Sequence, residues 1–125
     1  MNNTKQISLY KKLVSATQYS VQGFYSAIKH EQAFRLELIF YSLALPISLY
    51  FSQSSIEQAL LVLATMLVFI TELLNSGIEA VVDRISFKHH ELSGRAKDFG
   101  SAAVFLCQIN AFVIWAIFFI PRIIQ

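Results

Sequence analysis

Residues 59–82 form an almost unbroken apolar run that is long enough to cross a lipid bilayer. Shorter apolar runs cover residues 36–51 and 99–120. Hydrophobic side chains make up 55% of the 125 residues, a fraction too high for an ordinary soluble domain of this size. Because a backbone in hydrocarbon must satisfy its own hydrogen bonds, such long apolar runs are expected to be helical. The sequence therefore predicts an all-α integral membrane protein with three transmembrane helices.

The predicted domain is single and covers residues 1–125, with the three spans at 33–51, 57–85 and 99–121. Ser54 or Ser55 is the expected N-cap of the second span, and Pro121 and Arg122 are expected to close the third. Residues 5–29 carry apolar side chains at helical spacing with polar side chains largely off that face, which predicts an amphipathic surface helix. That helix is either a simple anchor or a lid over a site at the membrane surface.

The basic residues are distributed unevenly around the predicted spans. Nine of the ten lysines and arginines fall before the first span, at its start, or between the second and third spans, leaving only Arg122 on the other side. By the positive-inside tendency the N-terminus is cytoplasmic and the C-terminus lies on the far side. This asymmetry suits an anionic leaflet or a polyphosphate ligand, and no nucleic-acid partner is expected.

A polar stripe interrupts the second span at Glu72, Asn75, Glu79 and Asp83. The spacing of three, four and four residues places these side chains along one helix face, from the apolar region toward its polar edge. A carboxylate in hydrocarbon is costly, so the stripe is expected either to join helices or to serve chemistry. With Lys97, Asp98 and an isolated Glu31, metal-assisted phosphoryl transfer is one of several chemistries that fit, although no common phosphate-binding loop is present.

Four segments resemble the prokaryotic diacylglycerol kinase family of the Gram-negative type: YSVQGFYSA, EQAFRLE, TELLNSGIEAVVDRI and HELSGRAKDFGSAAV. The resemblance implies a homotrimeric enzyme of the bacterial inner membrane, with three spans and an N-terminal surface helix. Such enzymes transfer the γ-phosphoryl group of ATP, with Mg²⁺, to the primary hydroxyl of diacylglycerol, giving phosphatidic acid. Their active sites are shared between neighbouring subunits at the cytoplasmic interface.

The resemblance also implies a role for individual residues. Glu72 would be the general base, Asn75 would orient the reacting groups, and Lys97 would offset phosphate charge. Glu31 and Glu79 would hold Mg²⁺ and contact the nucleotide. The further nucleotide contacts would come from Lys12, Tyr19, Lys88, His89, His90, Lys97 and Asp98. Lys12, Glu72 and Ser101 would contact the lipid, and Asp83 and Arg95 would support the site.

Three alternatives to a diacylglycerol kinase stay open at this point. The Gram-positive sister group is very similar but phosphorylates undecaprenol, and its second loop usually differs from HELSGRAKD, which favours diacylglycerol here. A small proton-coupled transporter would explain an intramembrane glutamate. A non-catalytic membrane subunit held by polar contacts would leave Glu31, Lys97 and Asp98 without a shared purpose.

Overall fold

The computed structural model describes residues 2–124, with side chains described from Leu9 to Ile124. Residues 1 and 125, the ends of the predicted domain, lie outside this range. The described chain is helical almost throughout, with α1 at Asn2–His30, α2 at Gln32–Phe51, α3 at Ser55–Ile85 and α4 at Glu91–Ile124. It divides into two compact units, Met1–Gln32 and Ala33–Gln125, and the prediction of a single domain stays a prediction.

Helix α1 belongs to the first unit and confirms a helix over the predicted segment 5–29. Its side chains include many exposed apolar groups, among them Tyr10, Leu13 and Tyr19. Thr17 and Ser20 each donate a hydrogen bond from the side-chain hydroxyl to the carbonyl four residues earlier, so these polar groups are satisfied within the helix. Its attachment to a membrane surface stays a prediction.

Helices α2, α3 and α4 of the second unit are each long and apolar enough to cross a membrane, which agrees with the three predicted spans. Helix α2 continues through Pro46, and α4 continues beyond Pro121 to Ile124. The start of α4 at Glu91 lies well before the predicted start of the third span at residue 99. The polar segment that separates the two apolar runs is therefore mostly helical, and only residues 86–90 connect α3 to α4.

The principal helix packing of the second unit joins α3 to α4. The face of α3 that is buried carries one stripe with spacings of four, three, four and four residues, formed by Glu57, Leu61, Ala64, Val68 and Glu72. On α4, Gly100 and Val104 are buried. The stripe is apolar in its middle and has a glutamate at each end, so the same helix face that packs the unit also leads into the predicted polar residues.

Aromatic side chains bring α2 against the other two helices. Phe34 and Tyr41 both meet the ring of Phe69 edge-on, at centroid distances of 5.5 and 5.0 Å. Phe51 meets Phe119 of α4 in a similar edge-on arrangement at 6.4 Å. These contacts place the first half of α2 beside α3 and the end of α2 beside α4.

The predicted N-cap of α3 is confirmed at Ser54. Its hydroxyl accepts a hydrogen bond from the Glu57 backbone N–H at 3.1 Å. The Glu57 side chain in turn contacts the segment before the cap, where its Oε2 accepts from the Gln53 backbone N–H at 3.0 Å. Its Oε1 accepts from Arg122 Nη2 at 2.7 Å, and Arg122 Nη1 also donates to the carbonyl of Phe51 at 3.0 Å. We call Ser54, Glu57 and Arg122 the distal cluster.

Candidate active site

The connection between α3 and α4 is held by its own side chains. Ser86 ends α3, and its backbone N–H donates to the Val82 carbonyl at 3.2 Å. The Ser86 hydroxyl accepts from the Lys88 N–H at 3.0 Å, and His90 Nδ1 accepts from the Leu92 N–H at 3.2 Å. The first N–H groups of a helix have no partner within the helix, and the His90 side chain provides a hydrogen-bond acceptor for one of them in α4. The short connection therefore has a defined course.

A cavity of about 350 Å³ opens beside this connection, and we call it the loop cavity. It is bounded by the end of α3, residues 86–90 and the first turns of α4. Its lining is Val82, Asp83, Ser86, Phe87, Lys88, His89, His90, Ser93, Gly94 and Lys97. Four of the predicted nucleotide contacts and the predicted supporting residue Asp83 thus surround one space, although they lie on three different segments of the chain.

Lys97 and Asp83 form an ion pair at the wall of the loop cavity. The Lys97 Nζ to Asp83 Oδ1 distance is 2.6 Å, and the two side chains are 36% and 41% exposed. An ion pair this exposed contributes little to the stability of a fold. It does fix the position of a lysine ammonium group at the rim of a cavity, where phosphate oxygens could reach it. Asp98 and Arg95, the neighbouring predicted residues, are exposed.

Deeper along α3, Asn75 and Glu79 are paired through their side chains. Asn75 Nδ2 donates to Glu79 Oε1 at 3.1 Å. The other amide atom, Asn75 Oδ1, is buried and accepts no hydrogen bond from any residue that the structure describes. It faces α4 at Gly100, where a side-chain carbon would overlap it. The Asn75–Glu79 pair therefore leaves one carboxylate oxygen of Glu79 outside that hydrogen bond, and it lies at a close approach of α3 to α4.

Glu72 lies one turn before Asn75 and is buried, with 6% of its surface exposed. It is the last member of the buried stripe of α3, directly after Val68 on that face. An ionised carboxylate at such a position is costly, and this cost is typical of an intramembrane residue with a function. The predicted base thus occupies the most buried position of the polar stripe, while Glu79 and Asp83 are only half-buried.

A second cavity of about 650 Å³ lies between α2, α3 and α4, and we call it the interhelical groove. Its lining is mostly apolar and includes Val68 and Phe69 of α3, so it ends near the turn that carries Glu72. Polar side chains also line it, among them Glu37, Gln108 and Thr65. Gln108 Nε2 donates to Glu37 Oε1 at 3.2 Å.

The remaining predicted residues lie on α1, directly after it, or on α4. Lys12 and Tyr19 lie seven residues apart on one exposed face of α1, beside a shallow cavity that they share with Lys11, Ser15 and Ala16. Glu31 follows α1, and its backbone N–H donates to the Ala27 carbonyl at 2.9 Å. Ser101 is exposed on α4, next to the buried Gly100.

The described carboxylates of the site fit a Mg²⁺ ion that is held jointly by the protein and the phosphates of a nucleotide. Among the side chains described from Leu9 to Ile124, no group of three or more histidine, cysteine or acidic residues is placed to hold a metal ion. Mg²⁺ usually keeps several waters and binds one or two carboxylates together with substrate phosphates. Glu79, with a carboxylate oxygen left outside its bond to Asn75, can supply one such ligand.

Sequence reasoning did not single out four residues that the structure makes notable: Glu37, Gly100, Gln108 and Arg122. A glutamate and a glutamine within apolar runs were the available signal for Glu37 and Gln108. Arg122 was expected only to end the third span. The role of Gly100 depends on which residue of α3 faces it, and the spacing of residues along one helix does not reveal that.

Comparison with known proteins finds one matching family and several similar proteins that carry the same name. Residues 18–119 match the family described as Prokaryotic diacylglycerol kinase. The protein named Diacylglycerol kinase from Escherichia coli K12 is 46% identical over 108 residues, which cover 86% of this chain and 88% of that protein. Its namesake from Haemophilus influenzae is 45% identical over 103 residues, covering 82% and 87%. The one from Pseudomonas aeruginosa is 42% identical over 106 residues, covering 85% and 86%.

Proposed function

The chain belongs to the prokaryotic diacylglycerol kinase family, and from this premise we propose that it phosphorylates the primary hydroxyl of diacylglycerol with ATP, releasing phosphatidic acid and ADP. The observation that carries the proposal is the family match over residues 18–119, which includes the whole polar stripe and the loop cavity. Three apolar helices and this family fit a protein of the bacterial inner membrane. We further propose that the N-terminus and the loop cavity face the cytoplasm, where ATP is available, and that the C-terminus lies on the far side.

We propose that the lipid occupies the interhelical groove and presents its hydroxyl to Glu72. The groove is mostly apolar, as acyl chains require, and it is lined by Val68 one turn before Glu72. Glu72 would accept the hydroxyl proton as the lipid oxygen attacks the γ-phosphorus, and the bond from that phosphorus to the β,γ-bridging oxygen would break. Ser101 and Lys12 are the further lipid contacts that the family resemblance suggests.

The phosphates of ATP would lie in the loop cavity. Lys97 would place its ammonium group against the phosphate oxygens and offset their charge, with Asp83 holding it in position. Lys88, His89, His90 and Asp98 would complete the nucleotide contacts from α4 and the connection, and Arg95 would support them. Lys12 and Tyr19 would add contacts from α1. Lysines and histidines around one cavity support this assignment, because polyphosphate binding needs several donors.

Glu79 and Glu31 would hold Mg²⁺ in the presence of nucleotide, and the ion would neutralise charge on the phosphoryl group. Support for Glu79 comes from its place between the buried base and the loop cavity and from the hydrogen bond that orients it. Support for Glu31 comes from the family resemblance alone. Asn75 would orient Glu79 and through it the reacting groups.

The test of this function is an ADP-release assay on the full chain in lipid nanodiscs with Mg²⁺ and ATP. Separate samples contain diacylglycerol, undecaprenol or triacylglycerol, which lacks a free hydroxyl. We expect rapid turnover with diacylglycerol and none with triacylglycerol. Faster turnover with undecaprenol would assign the chain to the sister activity. No turnover with any of the three lipids would overturn the proposal.

We also propose a homotrimer whose active sites are shared between subunits. The test mixes pairs of inactive variants, which are dissociated and reassembled together. If each site takes Glu72 and Glu79 from one subunit and other residues from its neighbour, then mixing Glu72→Gln with an inactive Lys12 or Glu31 variant restores activity. Mixing Glu72→Gln with Glu79→Gln does not. Recovery in neither mixture would contradict shared sites, and sedimentation analysis of the reassembled protein checks the number of subunits.

A further inference from the structure

Gly100 is the buried residue of α4 that meets the polar stripe of α3. A Cβ added at this position would overlap Asn75 Oδ1, and it would lie 3.2 Å from Asn75 Cγ and 3.6 Å from Asn75 Cα. The last distance shows that the backbone of α3 itself is close. A Cβ added at any of the other glycines, Gly23, Gly77 and Gly94, would meet no atom within 4 Å. Among the four glycines, Gly100 is therefore the one at which the space for a side chain is already filled.

The atom that fills the space beside Gly100 belongs to a side chain of the site. Asn75 donates from Nδ2 to Glu79, and its Oδ1 points toward α4, where it is buried without a hydrogen-bond partner among the described residues. The two ends of the amide are fixed together, because the group is planar. A side chain at residue 100 would force the amide to rotate away, and this rotation would also move Nδ2 away from Glu79.

We propose that Gly100 is a positioning residue for phosphoryl transfer, whose missing side chain keeps the Asn75 amide directed at Glu79. The inference rests on the proposed function, because it assigns Glu79 to the metal-bound nucleotide. It adds a residue that acts through Asn75 and touches neither substrate. The loss of an orienting partner of a metal ligand typically weakens metal affinity or activity by about 10- to 100-fold.

The first experiment is kinetic and compares Gly100→Ala with a matched control, Gly77→Ala. For Gly100→Ala we expect kcat to fall and the Mg²⁺ concentration for half-maximal rate to rise, each by about tenfold or more, with little change in KM for diacylglycerol. Gly77 lies on α3 with open space around its Cα, so Gly77→Ala is expected to keep the original values. Equal effects of the two substitutions, or a rise in KM for diacylglycerol alone, would overturn the proposal.

The second experiment does not depend on activity and covers the case in which Gly100→Ala destabilises the protein. Unfolding midpoints in one detergent are measured for the original chain, Gly100→Ala, Asn75→Ala and the double variant. We expect Gly100→Ala to lower the midpoint in the original chain and to lower it much less where Asn75 is already alanine, because the overlapping atom is gone. Equal losses in the two backgrounds would show that residue 100 does not act through Asn75. If the original chain lacks kinase activity, the proposed function fails, while this cycle still tests the contact.

Discussion

The two polar ends of α3 differ in how completely their side chains are satisfied. At the distal cluster, both carboxylate oxygens of Glu57 accept hydrogen bonds, and its side chain is only 5% exposed. At the other end, Asn75 Oδ1 is buried without a partner among the described side chains and backbone, and both side chains of the Asp83–Lys97 pair are at least a third exposed. Polar side chains whose hydrogen bonds are all made within the fold contribute to stability. A polar atom without a partner and an exposed ion pair can also bind another molecule. The contrast supports the proposal that the distal cluster serves stability and that the stripe from Glu72 to Asp83 serves chemistry.

The largest effect is expected for Glu72→Gln. Removing the proton acceptor should lower kcat by about 10²- to 10⁴-fold, the usual contribution of a general base. The unfolding midpoint should not fall, because the amide is nearly isosteric and avoids a buried charge. ADP release and thermal unfolding, measured on one preparation, check both parts. Activity within a few-fold of the original chain would exclude Glu72 as the base.

The second effect concerns Arg122→Ala at the distal cluster. This change leaves the Glu57 carboxylate buried without its cation and frees the Phe51 carbonyl, so we expect the unfolding midpoint to drop by several degrees. The kcat of the folded fraction should stay unchanged. The matched control is Arg122→Lys, which keeps the charge but not the two-pronged geometry, and its midpoint should fall between those of the original chain and Arg122→Ala. A loss of kcat without a loss of stability would reverse the assignment of the two ends.

A smaller effect is expected for Asp83→Asn, which weakens the hold on Lys97 without removing the hydrogen-bonding atoms. The KM for ATP should rise by about tenfold while KM for diacylglycerol stays the same, because the Lys97 ammonium would then donate to a neutral amide oxygen in place of a carboxylate. Initial rates over a range of ATP concentrations measure this change. Glu91→Gln, a change at an exposed acidic residue in the first turn of α4, controls for the general loss of one negative charge. If both variants behave alike, Asp83 has no specific role.

The smallest effect is expected for Ser54→Ala, which removes the N-cap of α3. Loss of the hydroxyl that accepts from the Glu57 N–H should lower the free energy of unfolding by about 1 kcal/mol. The effect on kcat should be nil. Ser55→Ala serves as the control, because Ser55 is the first helical residue and not the cap. A measurable loss of kcat in Ser54→Ala would show that the two ends of α3 are coupled, which contradicts their separate assignment to stability and chemistry.

Local features were predictable from the sequence because they depend on neighbouring residues. The three apolar runs, the Ser54 cap and the alignment of Glu72, Asn75, Glu79 and Asp83 follow from spacing along one chain segment. The early start of α4 was harder to place, since residues 91–98 are polar and contain a glycine that usually marks a loop. The partner that His90 supplies at the first turn favours a helix there.

Contacts between distant segments could not be predicted in the same way. Glu57 and Arg122 are 65 residues apart, and Glu37 and Gln108 are 71 apart. Their pairing depends on how α2, α3 and α4 are rotated about their axes, which the apolar pattern specifies only loosely. The same holds for Gly100 and Asn75. The family resemblance supplied roles for residues of the site, but it gave no reason why the buried asparagine needs a glycine opposite it.

The polar residues along α3 also lie at two different depths for the proposed reaction. At a rise of about 1.5 Å per residue, Glu72 and Glu79 are separated by roughly 10 Å along the helix axis. One end of this interval lies in the buried part of the stripe, and the other lies one turn before Asp83 of the loop cavity. With Glu72 as the proposed base, we expect a lipid to be selected by the height at which the bilayer holds its hydroxyl as well as by its chemical structure. Amphiphiles whose hydroxyl lies nearer the headgroups, or further toward the bilayer centre, are expected to be poor substrates even when their acyl chains are identical.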